Sequence, residues 1–141
     1  VKPNVVNENM NICYKRSSNT GYIFLTKSDA VLELATGTGS ALEESKTTTT
    51  ISANEWTHIA AVRTGALGKA KFYKNGALMT INGSYDPDHT SMSAATSTNL
   101  TVGSGGGNVF KGIIDEFMIY NRELSLAEIS KNHKHGKGKH T

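Results

Sequence analysis

An all-β sandwich, two antiparallel sheets in jelly-roll order with one short C-terminal helix, is the fold this sequence predicts. Short apolar runs rich in Ile, Val, Tyr and Phe recur along the chain, separated by clusters of Gly, Ser, Thr and Asn. A single helix-start signature stands near the C-terminus. The composition, with 14 Gly and 19% charged residues, suits strands and turns better than a helical bundle. A chain of 141 residues calls for one core. Residues 1–132 are expected to form it, with 133–141 as a disordered basic tail.

The runs from Asn11 to Lys15 and from Gly21 to Thr26 flank the polar cluster Arg16 to Thr20, which predicts a hairpin. Ala30 to Ala35 predicts a strand with Leu32 and Leu34 inward. From Thr36 to Thr50 the chain reads as a loop leading into an edge strand, because four β-branched residues, Thr47 to Thr50, favour extended backbone. Asn54 to Arg63 predicts a long strand, and apolar residues at both parities make it central. Ala70 to Tyr73 and Ala77 to Ile81 lie either side of Lys74-Asn75-Gly76, and Asn-Gly suits the positive φ angles of a type I′ hairpin turn.

The polar stretch from Asn82 to Thr98 predicts a surface loop. Asn99 to Gly103 and Phe110 to Asn121 predict two more strands, the second long, with Ile113, Asp115, Phe117 and Ile119 on one face. The helix is expected over Leu126 to Asn132. Ser125 and Glu128 form the capping-box pattern, and Leu124 can staple to Ile129. The residues beyond Asn132 have nothing apolar to bury.

Charge excludes one class of partner. Lys131, Lys134, Lys137 and Lys139 supply more than the formal excess of +3, leaving the preceding body slightly acidic, without the positive stripe that nucleic acid requires. No apolar run approaches membrane-span length, and membrane insertion is not expected. Cys13 is the single cysteine, so an intrachain disulfide and a thiolate metal cluster are both excluded; it is expected to be a small buried hydrophobe. Gly103 to Gly107 lacks the Lys and following helix of a phosphate loop, and Asn82-Gly83-Ser84 and Asn99-Leu100-Thr101 match the glycosylation acceptor pattern.

Four segments carry a resemblance in order and spacing. They are Glu55-Trp56-Thr57-His58-Ile59-Ala60, the Phe72-Tyr73-Lys74-Asn75-Gly76 hairpin, Leu100-Thr101-Val102-Gly103, and the run from Phe110-Lys111-Gly112-Ile113 through Tyr120 to Ser125. Together they resemble the laminin-G-like domains of the concanavalin A-like lectin and glucanase superfamily, over nearly everything up to about Asn132. The resemblance implies a jelly roll of two curved sheets. It also implies that a first strand usually stands ahead of the position of Val1, so that either the sequence is a piece of a larger protein or assembly, which is the favoured reading, or the terminal strand is rearranged, or a neighbouring chain covers the gap.

Hydrolysis is not expected. A retaining glycosidase needs two carboxyls on one strand face, whereas Asp115 and Glu116 are adjacent and point to opposite faces. Asp86 and Asp88 have the right spacing but flank Pro87 in a loop. Asp115, inward by parity, either accepts backbone, Trp or His hydrogen bonds or serves as the metal-binding residue of the structural calcium that the resemblance implies. Tyr85, Asp86, Asp88 and His89 offer an aromatic face and acceptors for a sugar ring; the plain alternative is a solvated acidic turn. Trp56 reads as core and His58 as a hydrogen-bonded structural residue.

The expected protein is a non-catalytic binding module outside the cell or at its surface, glycan-binding or adhesive, whose partner is a glycan or a cell-surface protein. The alternative is a structural subunit of a surface filament, virion or scaffold that self-associates through its sheet edges. Fold alone does not choose between them.

Overall fold

The computed structural model describes residues 1–64, 68–95 and 97–139. Strands β1 (Lys2–Pro3), β2 (Met10–Ser17), β3 (Thr20–Thr26), β4 (Val31–Thr38) and β5 (Leu42–Thr50) come first, followed by β6 (Ile59–Arg63), β7 (Ala70–Lys74) and β8 (Ala77–Leu78). The short strands β9 (Thr101–Val102), β10 (Ser104–Gly105), β11 (Asn108–Val109) and β12 (Gly112–Ile113) precede the helix α1 (Leu126–Lys137). One sheet has the order β5-β4-β3-β2-β9 and the other β6-β7-β8, with β1-β12 and β10-β11 as two-stranded pairs. Every pairing is antiparallel.

Alternation explains how the layers meet. Leu32 and Leu34 do face inward, and the cross-strand pair Phe24 and Leu34 lies on the same side. Phe72, from the second sheet, meets Phe24 with ring centroids 6.2 Å apart in a tilted arrangement. Met10, Ile51, Ala70, Met79 and Phe110 complete this main core. Cys13 is buried within it, and burial pushes its thiol up to about 11, which makes it an inert hydrophobe.

Two local signals act as read. Asn75 and Gly76 adopt φ angles of 51° and 80°, so the β7-β8 turn uses left-handed backbone that Asn-Gly tolerates. At α1, Ser125 Oγ accepts from the Glu128 N–H while the Glu128 carboxylate accepts from the Ser125 N–H at 2.8 Å, closing the capping box. Ile129 is fully buried against Val62 and Tyr73, with Leu124 packed beside it. The helix thereby covers the face of β6 and β7 that turns away from the main core.

Four stretches depart from the expectation, the first being Asn54 to Arg63, expected as a long central strand but extended only over Ile59–Arg63 and placed at a sheet edge. β5 begins at Leu42, because the predicted loop closes in a short turn, Thr38 N–H donating to the Ala41 carbonyl at 2.9 Å. The helix runs on through Lys137, five residues past its expected end, where Lys134, His135 and Lys137 sit favourably at the negative end of its dipole and Lys139 pairs with Glu116. His140 and Thr141, the last of the expected tail, lie outside the described residues. The predicted strand from Phe110 to Asn121 survives only as β12. Glu116 stands at φ 51°, which breaks the extended backbone and the single-face parity assigned to that run.

Candidate functional site: an open strand position in the second sheet

β6 is an edge strand of the three-stranded sheet. The Asn75 N–H donates to the His58 carbonyl at 2.8 Å, and this bond sets the parity of the β6-β7 ladder: His58, Ala60 and Val62 turn their backbone groups toward β7. Thr57, Ile59, Ala61 and Arg63 must then turn theirs the other way. Thr57 finds a partner there, since its N–H donates to the Val1 carbonyl at 2.8 Å and its own carbonyl accepts from the Val1 amino group at 2.8 Å. Burial draws the Val1 amino group below its ordinary pKa, partly opposed by the nearby Asp115 carboxylate.

β1 is bonded on its second side as well. Lys2 pairs with Ile113 and Pro3 with Gly112, and the Asn4 N–H donates to the Lys111 carbonyl at 2.8 Å. One strand therefore separates Thr57 from Ile113, which sets the two walls about 9.5 Å apart at that point, twice the spacing of neighbouring strands. The walls continue beyond Val1 along β6 and the segment after Ile114. Among the described residues, the outward backbone groups of Ile59, Ala61 and Arg63 make no backbone hydrogen bond, and Ile114 to Tyr120 lies in no ladder.

The result is a cavity of about 890 Å³ whose walls are β6 and the segment from Ile114 to Glu123. Its floor is the inner face of the large sheet, with Cys13, Tyr22, Phe24 and Leu34, and α1 lies over it through Leu124, Ile129 and His133. Trp56, expected in the core, is half-buried on its rim. The Ile114 wall leaves apolar side chains in water: Met118 is 50% exposed, Ile119 54% and Tyr120 42%. His58 also lines the cavity, its ring 5.7 Å from that of His133, and burial lowers its pKa, with His133 adding to the effect. Of the residues that line the cavity, sequence reasoning named only Asp115 as a site, and for a different chemistry.

The sequence-derived loop residues lie elsewhere and divide into two groups. Tyr85 presents its ring at the surface, with the Lys46 ammonium 3.8 Å from the ring centroid. Lys69 draws Asp86 and Asp88 together at 3.7 and 3.4 Å. A shallow cleft of about 410 Å³ runs beside Tyr85 and Asp86, with Glu43, Glu44 and Pro87 on its sides. His89 points the other way, with no exposed surface. Thr36 Oγ1 lies 2.9 Å from its Nδ1 and Ser45 Oγ 2.8 Å from its Nε2, so it ties β4 to β5 inside the sandwich. Burial lowers its pKa, reinforced by the Arg63 charge and opposed by Glu43, which keeps the ring neutral. Both partners are far away in sequence, and the pattern Tyr85 to His89 held no hint of them.

Asp115 requires a correction. It is exposed rather than inward, its Oδ1 accepting from the Glu116 N–H at 2.8 Å where the left-handed Glu116 turns the chain. Nor is calcium supported: among the described residues, no group of three or more His, Cys, Asp or Glu side chains is placed to hold a metal ion. An ion of that kind wants six to eight oxygens, and Asp115 belongs to no group of three or more such side chains among the described residues.

These features define a β-sandwich module of jelly-roll type. A model of the laminin-G-like family of the concanavalin A-like lectin/glucanases superfamily matches residues 1–130, and the chain belongs to that family. No curated protein matches the sequence. Among solved structures, the chain is similar to an S-layer domain-containing protein from Clostridium thermocellum, at 19% identity and a TM-score of 0.45, covering 94% of this chain and 66% of that one. No helix among the described residues is long and apolar enough to cross a membrane.

Proposed function

We propose that this domain is a structural module outside the cell that joins to its neighbours through its sheet edges. The observation that carries the reading is the outer edge of β6, which among the described residues makes no backbone hydrogen bond and faces an apolar cavity. An edge strand with unsatisfied N–H and C=O groups is a template for another strand. The other long edge is protected: outside β5, the Thr48 N–H donates to the Thr80 carbonyl at 2.9 Å and the Asn82 N–H to the Lys46 carbonyl at 2.8 Å. Sedimentation velocity from low to high micromolar concentration tests the reading, with a concentration-dependent shift to larger species expected. A monomer throughout would overturn it.

A second reading, glycan binding, rests on the cleft beside Tyr85 and Asp86, with Asp88 on its flank and His89 holding the loop from behind. In its favour, an aromatic ring and carboxylates meet at a surface cleft. Against it, Lys46 already covers a face of the ring and Lys69 already engages both acids. A glycan array would decide, and loss of any signal in Tyr85→Ala is the expected outcome if the cleft is the site.

A further inference from the structure

We infer that the ring pair His58 and His133 is a pH-sensitive latch, which seats the C-terminal half of α1, Ser130 to Lys137, on the Asn75-Gly76 turn at neutral pH and releases it in mild acid while the first half stays anchored. The latch requires no partner chain.

Different forces hold the two halves of the helix. Ile129 is the buried residue of α1, seated against Val62 and Tyr73, and the Ser125 and Glu128 capping box fixes the first turn. From Ser130 to Lys137 no side chain is apolar, so the second half rests on polar contacts. Ser130 and His133 fit against Gly76, where an added Cβ would stand 3.4 Å from Ser130 Cα and 3.3 Å from His133 Nδ1. Asn132 Nδ2 donates to the Tyr120 hydroxyl at 3.3 Å, and Lys139, just past the helix, pairs with Glu116. A segment with so little buried apolar surface opens at low cost, and one altered contact moves it.

The altered contact is the ring pair. His58 cannot withdraw, because its N–H donates to Asn75 Oδ1 at 2.9 Å and its carbonyl accepts from the Asn75 N–H at 2.8 Å. Its ring is half-buried 5.7 Å from that of His133, and its Nδ1 is buried without a hydrogen-bond partner. Neutral rings sit there at no electrostatic cost, whereas charged rings repel and the buried one lacks water. Burial is the main cause that holds His58 below its ordinary pKa, with His133 next and the Val1 amino charge after it. Glu116 opposes them from the Ile114 wall, but Lys139 already pairs with it, and Asp115 acts on the Val1 amino group. On α1, Lys134, His135 and Lys137 are exposed, and Lys74, beside the turn, reaches away to the Thr50 carbonyl. As pH falls through 6.5, the released form takes up a proton that the seated ring resists, so seating is complete above that value and weakens below it. Release uncovers His58 and the Asn75-Gly76 turn without opening the sandwich.

The test follows the 141-residue chain by NMR at pH 7.5 and pH 5.5. Nuclear Overhauser contacts between Gly76 and the His133 ring are expected at the higher pH and lost at the lower, with amide protection factors over residues 134–137 falling about tenfold or more. Contacts between Ile129 and Tyr73 should persist at both. His58→Gln should keep the helix end seated at pH 5.5, and His133→Gln should at least halve the fall in log protection; the second variant, at a partly exposed helix position, decides alone if the first does not fold. His135→Gln and a chain acetylated at Val1 should respond like the unmodified chain. Contacts between Gly76 and His133 that survive with both rings protonated, loss of the Ile129 contacts at the same midpoint, or an unchanged response in His133→Gln would each overturn the latch. A response abolished by acetylation or by His135→Gln would overturn it as well, since the titrating charge would then lie outside the ring pair.

Discussion

In the large sheet, β3 and β4 each have a bonded strand on both sides along nearly their whole length; in the second sheet, β6 has β7 on one side and a cavity on the other. Local propensity does not explain the contrast, because Ile59 to Arg63 is as strand-prone as Val31 to Ala35. The difference lies in what surrounds them. Leu32 and Ala35 are 0% and 2% exposed, while Ile59, Ala60 and Ala61 remain half-open. A ladder needs two edges, and among the described residues β6 has a bonded strand along one side only.

The first way to break the comparison is through the core that both sheets share. Phe72 has no exposed surface and joins the second sheet to Phe24 of the first. Phe72→Ala is expected to cost about 3–5 kcal/mol, a large part of the stability of a domain this size. Urea denaturation followed by tryptophan fluorescence would measure it, and a loss under 1 kcal/mol would mean that the sheets do not pack as described.

Acid is expected to act next, on the large sheet. His89 is buried and neutral, and its lowered folded pKa lies below the 6.5 of the unfolded chain. Above 6.5 neither state binds the proton and the contribution is flat; as pH falls through 6.5 the unfolded chain takes up a proton that the folded ring resists, and stability declines. By pH 5 the decline from this one group amounts to at most about 2 kcal/mol. His58, lowered for a similar reason, acts in the same direction. His89→Gln should flatten the slope between pH 7 and 5; an unchanged slope would show that His89 is not the titrating group.

How much of this was legible follows from where each signal resides. Leu32 and Leu34, the Asn75-Gly76 turn and the Ser125 capping box lie within a few residues of what they control, and each formed as the sequence implies. The run from Phe110 to Asn121 did not. Its alternation is clear on paper, but alternation is enforced by a neighbouring strand, and beyond β12 there is none. With that constraint absent, Glu116 adopts a left-handed turn, Asp115 swings outward, and the inward carboxylate that suggested calcium disappears. His89 failed for the opposite reason: its partners Thr36 and Ser45 come from strands 53 and 44 residues away. The resemblance to a fold with one further strand was the clue that bore on the cavity itself.

A smaller effect sharpens the contrast at matched alanines. Ala35 is 2% exposed between Ile23 and Glu44 of its two neighbouring strands. Enlarging it to leucine should force a rearrangement in the completed sheet costing about 1–3 kcal/mol, read from the shift in denaturation midpoint. A neutral outcome would mean that the large sheet has unused room as well.

The smallest effect belongs to the position most revealing about the open sheet. Ala61→Leu adds the same bulk, yet its side chain enters the cavity over Tyr22 and Phe24 instead of a filled interior. Overpacking has no atoms to displace there, so the change in stability is expected to fall within about 0.5 kcal/mol of zero. If Ala61→Leu instead destabilises as strongly as Ala35→Leu, the space beside β6 is filled in the free protein, and the difference between the two sheets vanishes.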